Sequence, residues 1–336
     1  METQMRAAMI DRYGPPERIR IATAPIPVPG RGEVLVRVEA AAVTAGDARI
    51  RAGRFPRGFG LLARLGIGLR GPRRSIPGMV FSGKVERLGH GATGLSVGEA
   101  VAGMTGARFG AHAEYVTVPV TAIIPLPAGV SHSDAAGALF GGSTALYFLR
   151  DRARLGAGQT VLVNGASGSV GSAALQLAVH FGATVTAVSS SPNHDLLRRL
   201  GAARVIDYRQ TPVAGLGERF DVVFDAVGNL SRADGLQLAD AQGVVILAVA
   251  GLADTVTARG RVIAGPVPER REDFALLLDL VANGAFDPLV EIVGSLEALP
   301  EAHRRIDSGR KIGNLVILSH NTTTDTVTTA TTGEAT

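Results

Sequence analysis

The stretch Thr160-Val-Leu-Val-Asn-Gly-Ala-Ser-Gly-Ser-Val-Gly171 constrains the fold more than any other part of the chain. A short apolar run leads straight into Gly165, Gly168 and Gly171, and a small-residue run follows from Val170 to Phe181. In it Val170, Ala173, Ala174 and Leu177 recur at i, i+3, i+4 and i+7, the spacing of one helical face. A strand, a glycine turn and a helix in that order fit a phosphate cradle. One glycine permits the turn, one lets backbone approach a pyrophosphate, and one lets the helix sit close on the sheet. The helix start adds free N–H groups and a positive dipole end. A second strand, Thr184 to Ser189, completes a unit that binds a dinucleotide. Its cofactor-facing candidates are Gly165, Ser167, Gly168, Ser169, Val170 and Gly171. An ordinary glycine-rich turn is the competing reading.

Strand and helix keep alternating beyond this unit. Short apolar runs at Arg204 to Asp207, Asp221 to Val227 and Val244 to Val249 read as strands of a parallel sheet buried on both faces. A helix is predicted over Asp195 to Leu200, a further strand near Arg261 to Ala264, an amphipathic helix over Arg271 to Ala282 and a last strand over Leu315 to Leu318. Upstream, Ser131-His-Ser-Asp134 has the form of a capping box, and a second helix is predicted from Ser143 to about Leu155. The first ~120 residues differ in kind. Residues 6–10 and 18–23 read as short strands, Gly32 to Val43 alternates strongly, and 78–89, Val97 to Ala102 and Ala113 to Thr117 read as further strands. This is a glycine-punctuated β-barrel unit, with a long Arg-, Gly- and Pro-rich loop over 51–77 that holds short helical pieces. The Thr-rich end, 321–336, has no core-forming period and is expected to be disordered.

Length and composition bound the function. A chain of 336 residues has room for about two domains. No uninterrupted apolar run reaches the ~18 residues of a membrane span, and the start lacks the order of a signal peptide. There are no cysteines, which excludes disulfides and thiolate metal ligands and fits a cytoplasmic setting. The formal net charge is +4, and Lys occurs only at Lys84 and Lys311. Glycines and apolar residues interrupt the arginines from Arg49 to Arg74, so a solvated surface or pocket rim is expected there. Nucleic acid and membrane are not expected as partners.

Several segments together resemble the medium-chain dehydrogenase/reductase superfamily, in its zinc-free quinone oxidoreductase and enoyl reductase branch. They are AAAVTAGDARIRAG, IPGMVFSGKVERLGHGATGLSVGE, GAHAEYVTVP, VLVNGASGSVG, LRRLGAARVIDYR and FDVVFDAVG, and the resemblance spans about residues 6–318. It implies an α/β fold: a doubly wound Rossmann sheet over 125–266 and a GroES-like β-barrel catalytic domain built from 1–124 and 267–320. It also implies a nicotinamide cleft between the two and a homodimer.

The resemblance nominates the site. Thr44 stands where zinc relatives place their first catalytic ligand, and Gly78-Met79-Val80 where they have Gly-His-Glu. The seven histidines show no ligand-like spacing, so no metal site is expected, and His132 and His303 read as surface histidines. The strand end Ser189-Ser190-Ser191-Pro192-Asn193 carries no acid to meet a ribose 2′-OH, which favours NADPH over NADH, with an ordinary polar strand end as the competing reading of its serines. Asn193 and His194 stand where the branch often has Lys or Arg. Tyr208, with Arg209 beside it, matches an aromatic at the adenosine end. Thr144, Val227, Gly228, Val249, Ala250 and Gly251 are the remaining cofactor candidates, with Arg310 and Lys311 resembling a basic closure over the phosphates. Catalytic candidates are Thr44, Asp47 and Tyr147. VTAGD resembles Val-Asn-Pro-x-Asp with Thr44 for Asn and Ala45 for Pro; Met79 replaces a usual Asp, and Ile312-Gly313-Asn314 replaces Arg-Gly-Lys. Asp47 as a helix cap and Tyr147 as a core aromatic are the competing readings. Phe55, Phe59, Leu61, Leu62, Leu65 and Ile67 are apolar enough to line a pocket for a bulky apolar or aromatic substrate, with core or dimer packing as the competing reading.

The expected function is NADPH-dependent reduction of a conjugated C=C or a quinone, without zinc. The alternative is a non-redox member of the same fold, acting as a binding protein or shape catalyst of a cyclisation.

Overall fold

The computed structural model describes residues 3–320, so the expected disordered stretch 321–336 lies outside the described residues. The chain opens with β1 (Gln4–Met9) and β2 (Arg20–Pro25), an antiparallel pair, then β3 (Glu33–Val43). Two short helices follow, α1 (Ala45–Ala52) and α2 (Gly60–Ile67). Next come β4 (Val80–Leu88), β5 (Ala100–Met104), β6 (Tyr115–Pro119), β7 (Ile123–Pro125) and α3 (His132–Leu146). The alternating stretch contains β8 (Thr160–Asn164), α4 (Ser169–His180), β9 (Thr184–Ser189), α5 (His194–Arg199), β10 (Arg204–Asp207) and β11 (Phe220–Asp225). It continues with α6 (Arg232–Leu238), β12 (Ala239–Leu247), α7 (Leu252–Thr257) and β13 (Val262–Ile263). The chain then runs through α8 (Arg271–Ala282), β14 (Val290–Gly294), α9 (Leu299–Asp307) and β15 (Asn314–Leu318).

Two large sheets result. The first has the order β14-β15-β3-β4-β5-β7, with β6 also paired to β3, so it takes strands from both ends of the chain. The second is wholly parallel, in the order β10-β9-β8-β11-β12-β13. Its centre is buried on both faces: Val161, Leu162, Val163, Val222, Val223 and Phe224 are all at most 1% exposed. That explains why these strands are apolar runs rather than alternations. β3 keeps the alternation, with Val34, Val36 and Val38 buried and Arg37 less so. No helix among the described residues is long and apolar enough to cross a membrane.

α3 joins the two sheets. Its alanines and leucines pack in one core with Ala40, Val80 and Ala102 of the first sheet and Val161 and Val163 of the second. The expected break at Ser143 is absent. α3 runs to Leu146 and continues into a wider, π-type turn over Tyr147–Arg152. Gly141 and Gly142 are there for space: a Cβ on Gly141 would lie 2.5 Å from the Ser169 carbonyl oxygen, and one on Gly142 2.8 Å from Leu277. The Ser131 cap is present, its hydroxyl accepting from the Asp134 N–H.

Two histidines depart from expectation. His132 is half-buried and bonded to the Ser82 hydroxyl at 2.7 Å through Nδ1. Ser82 spends its own hydrogen on the Val101 carbonyl, so the His132 ring donates here. His303 is fully buried and neither ring nitrogen has a partner. Burial, then His112 and Arg51, hold its imidazolium pKa well below the ordinary value. Asp307 pairs with Arg51 and does not reach the ring. The sign follows from linkage. Below about pH 6.5 the unfolded chain takes up a proton that the folded chain refuses, so stability falls on acidification. His303→Leu is expected to cost little at pH 7 and to flatten that fall by up to about 1.4 kcal/mol per pH unit. Urea melts from pH 7 to pH 5 measure it; an unchanged slope would contradict a buried neutral His303.

Candidate active site

The glycine turn lies at the end of β8, between β9 and β11, where the strand order reverses direction. That is the switch point at which open parallel sheets take ligands. Gly165 has φ +79°, and a Cβ on it would strike Val227. Gly171 is pressed onto the turn, with its missing Cβ only 2.1 Å from the Gly165 carbonyl oxygen. The Val170 and Gly171 N–H groups belong to the first turn of α4, which leaves them without an intrahelical acceptor, while the Ser169 N–H lies at the bridge to Gly313. The Ser169 hydroxyl is buried without a partner. A free N–H cradle, an orphaned hydroxyl and a turn that no side chain could fill fit a diphosphate.

The C-terminal segment is stitched to this turn. Gly313 donates its N–H to the Ser167 carbonyl at 2.9 Å and forms a parallel bridge with Gly168. The sequence reading looked to Arg310 and Lys311 here. Arg310 is exposed, and the Lys311 ammonium folds back onto the Gly313 carbonyl. Burial, aided by Arg305, lowers the Lys311 pKa to about 8. The closure is therefore made by backbone, with half-exposed Ile312 at the turn.

The adenosine end holds a cluster of hydroxyls. Ser189 donates to the Ser167 hydroxyl at 2.9 Å and accepts from the Asn193 amide at 2.9 Å; that amide also reaches the Ser190 hydroxyl at 3.4 Å. An acid does reach this corner, from the neighbouring strand. Asp207 stands opposite Ser189 in the β9–β10 register. Its carboxylate accepts from the Ser191 hydroxyl, from the Ser191 N–H at 3.1 Å and from the Arg209 N–H at 2.8 Å. The Ser191 hydroxyl first, then Arg209, hold its pKa below the usual range. Ser191 is thus committed and Ser190 keeps its hydrogen. Tyr208 is 49% exposed with the Arg209 guanidinium over its ring.

The floor between β8 and β11 is organised by a residue that the sequence reading missed. Asp225 is fully buried and accepts from the N–H groups of Val227, Gly228 and Leu230 and from the Asn164 amide. Gly228, at φ +87°, passes under Val249 too closely for a side chain. Beyond it, the loop after α1 crosses over: Leu252 donates its N–H to the Arg57 carbonyl at 2.7 Å, and Gly251 packs against Arg57. Of Val249, Ala250 and Gly251, Gly251 meets the loop after α1, although not through the expected apolar residues, while Val249 lies against Gly228 and Ala250 packs on the core of the parallel sheet. Phe55 stacks edge-on with Tyr13, while Leu61, Leu62 and Leu65 face solvent.

The catalytic candidates separate. Thr44 and Asp47 form a capping box at the start of α1. The Thr44 hydroxyl donates to Asp47 Oδ2 at 2.7 Å, the Thr44 N–H to the same oxygen at 2.8 Å, and the Asp47 N–H returns a bond to the Thr44 hydroxyl. Both residues are buried, and Asp47 Oδ1 has no partner. Met79 and Phe140 lie beside Thr44 around Gly46. The glycines that frame the G-x-D-x-x-G segment are Gly78 and Gly83, so the position of the usual Asp is Val80, a fully buried strand residue, rather than Met79. Thr144 donates to the Phe140 carbonyl at 2.8 Å. Tyr147 is engaged elsewhere. Arg152 donates to its hydroxyl at 3.1 Å, and Arg152 and Arg270 lie over its ring. Its partners are these arginines and Phe148, not Thr44 or the glycine turn.

A cavity of about 490 Å³ opens elsewhere, lined by Arg73, Arg74, Arg108, Phe109 and Tyr115 and by none of the cofactor candidates. Among the described residues, no three His, Asp or Glu side chains gather where they could hold a metal ion.

The family model described as "Alcohol dehydrogenase GroES-like domain" matches residues 30–128, and that described as "Zinc-binding dehydrogenase" matches 200–317. The 2-methylene-furan-3-one reductase of Solanum lycopersicum is 29% identical over 94% of this chain and 79% of its own length. The quinone oxidoreductase of Coxiella burnetii superposes with a TM-score of 0.84 at 27% identity, over 94% of this chain and all of that one. Two mycobacterial structures cover 94% of this chain and 99% of their own. One, complexed with NADPH, has a TM-score of 0.77 at 29% identity; the other, a quinone oxidoreductase, has 0.72 at 30%. With its two sheets, its switch-point glycine turn and these likenesses to quinone oxidoreductases, the chain belongs to the medium-chain dehydrogenase/reductase superfamily and is an oxidoreductase.

Proposed function

We propose that this chain reduces a conjugated C=C bond or a quinone at the expense of NADPH, without zinc. The observation that carries the reading is the cradle at Gly165–Gly171, with the first-turn N–H groups of Val170 and Gly171 and the orphaned Ser169 hydroxyl. A relative solved with NADPH and relatives named as quinone and furanone reductases support it. The nicotinamide, when bound, supplies the hydride. The residues of the chain must then orient it, exclude water and settle charge on the acceptor oxygen. Ser169, Val170 and Gly171 would hold the diphosphate, and the Arg57–Leu252 contact would close the nicotinamide end.

Donors for the acceptor oxygen are few. The hydroxyls of Thr44 and Thr144 are both committed internally. A simple ketone would leave a localised alkoxide there. An enone or quinone spreads the charge into an enolate or hydroquinone oxyanion, which asks less of the site. Thr44 can turn its hydrogen toward a substrate while its N–H still holds Asp47. Deuterium from 4-deuterated NADPH is expected at the β-carbon of an enone product, with the α-proton drawn from water. Thr44→Val should lower turnover, leave NADPH affinity nearly unchanged, and also cost about 1 kcal/mol of stability through the lost cap. Thr44→Ser keeps the cap and should keep most of the rate. The locked hydroxyl is also what favours the second reading, a non-redox member of the fold. If no quinone or enone consumes NADPH while some substrate is isomerised or cyclised without net redox change, that reading replaces this one.

The preference for NADPH is the finer part of the proposal. Asp207 brings a negative charge to the corner, but three donors within the chain absorb it, while Arg209 and Ser190 remain available. NADPH should bind more tightly than NADH by roughly 1–3 kcal/mol, the range of one or two bonds to a charged group. Ser190→Asp should weaken NADPH selectively. Equal affinities in a fluorescence titration would count against the preference.

A further inference from the structure

The segment from 48 to 83 carries eight arginines and no acid, between Asp47 and Glu86. Five of them, Arg57, Arg64, Arg70, Arg73 and Arg74, are exposed and make no ion pair with another described residue. That is more unpaired charge than the formal +4 of the whole chain. In the middle of this stretch sits α2, Gly-Leu-Leu-Ala-Arg-Leu-Gly-Ile, with no buried residue. Leu61, Leu62 and Leu65 share one side of it at i, i+1 and i+4, and are 70%, 57% and 53% exposed; Leu69, just beyond, is 61% exposed.

These leucines are held outward by a built anchor. The Tyr13 hydroxyl donates to the Gly68 carbonyl at 2.6 Å, and the Arg64 guanidinium lies 5.5 Å from the Tyr13 ring centre. Arg73 donates its N–H to the Ile67 carbonyl and its guanidinium to Gly66. Thus the back of α2 is tied to the body of the molecule, its leucines project, and unpaired cations flank them. A short helix with leucines on one side and arginines around it suits the boundary between anionic headgroups and acyl chains. An apolar face alone would suit many partners. The absence of any acid over 36 residues selects an anionic one, and projecting leucines select one that admits apolar side chains without a shaped pocket.

We propose that α2 and its flanking arginines dock on the surface of an anionic lipid bilayer, with Leu61, Leu62, Leu65 and Leu69 entering the headgroup region. The proposal does not rest on the redox reading, because docking needs no turnover. Its site is continuous with the loop that meets Gly251 and Leu252, so the chain would present its cofactor end near the lipid.

Sedimentation of the full chain with vesicles tests it. The chain should pellet with vesicles of equal parts phosphatidylcholine and phosphatidylglycerol about tenfold more strongly than with phosphatidylcholine alone, and high salt should remove most of the difference. Leu61→Ser with Leu65→Ser should abolish pelleting at unchanged melting temperature, since both side chains are already exposed. Arg70→Glu with Arg74→Glu should weaken it at least as much as salt does. No pelleting of the unaltered chain with anionic vesicles overturns the proposal, as does pelleting that the leucine pair does not change. Self-association removed by the leucine pair, without vesicle binding, would assign the face to a second copy of the chain. Binding to an acidic protein alone would overturn the proposal equally.

Discussion

Gly171→Ala is expected to disable dinucleotide binding and to cost about 3 kcal/mol or more of stability, the upper end of overpacking penalties. The added Cβ would lie 2.1 Å from the Gly165 carbonyl oxygen, 2.7 Å from its carbon and 2.9 Å from Ala166 Cα. All three are backbone atoms, so no side chain can swing away. Either α4 lifts from the turn or the turn changes shape, and each displaces the N–H groups of Ser169 and Val170. Gly313 would be disturbed as well, because its N–H rests on the Ser167 carbonyl. Gly215→Ala is the control: nothing lies within 4 Å of its Cβ position, and the change should be neutral. Urea melts and fluorescence titration with NADPH measure the two effects. Gly171→Ala with affinity within twofold of the parent chain would mean that the turn is not the diphosphate site.

The turn was readable because its demands fall on consecutive residues. A strand, three glycines and a helical face all lie within about twenty positions, and each is a local property of backbone or spacing. α8 was readable for the same reason, from its amphipathic period. Contacts set by register between distant segments were not. Nothing near Ser189 in sequence announces Asp207; only the β9–β10 pairing brings them opposite. Gly313 on Ser167 and Arg57 on Leu252 are likewise meetings of remote segments.

Some local signals pointed the wrong way. A second helix was expected to start at Ser143, yet α3 runs through that position, and Gly141 and Gly142 just before it permit close packing within one helix. His303 looked superficial on a helix with polar neighbours, but α9 turns that position into the body of the molecule, where the ring is sealed. The leucines of α2 were expected in a pocket because apolar residues usually are. Their exposure is set by contacts of α2 with remote segments, the Tyr13 hydroxyl on the Gly68 carbonyl among them, which the α2 sequence does not carry. In VTAGD the Thr44-x-x-Asp47 spacing is a catalytic nomination by resemblance and a capping box by geometry. The same two side chains satisfy both descriptions, so the sequence alone could not separate them.

Asp225→Ala is expected to lower stability by about 3 kcal/mol or more, because it leaves several buried donors without an acceptor. The Val227 N–H at 3.0 Å, the Gly228 and Leu230 N–H groups at 3.1 Å and the Asn164 amide at 2.9 Å all converge on this one carboxylate. Water cannot easily replace it, since the side chain is fully buried. The loss should also reach the cofactor. The carboxylate fixes Val227 over Gly165 and holds Gly228 beneath Val249, so a loosened loop would let the floor of the cleft shift. A second carboxylate on the same strand separates stability from function. At the other end of β8 and β11, Asp221 accepts from the Thr160 N–H at 2.8 Å and hydroxyl at 2.9 Å, far from the glycine turn. Asp221→Ala should therefore weaken the fold while leaving NADPH affinity close to that of the parent chain, whereas Asp225→Ala should reduce affinity at least tenfold under conditions where both variants are folded. Equal affinities for the two variants would reduce Asp225 to a purely structural strand-end residue. A loss of stability below about 1 kcal/mol in Asp225→Ala would show that the orphaned donors find other acceptors.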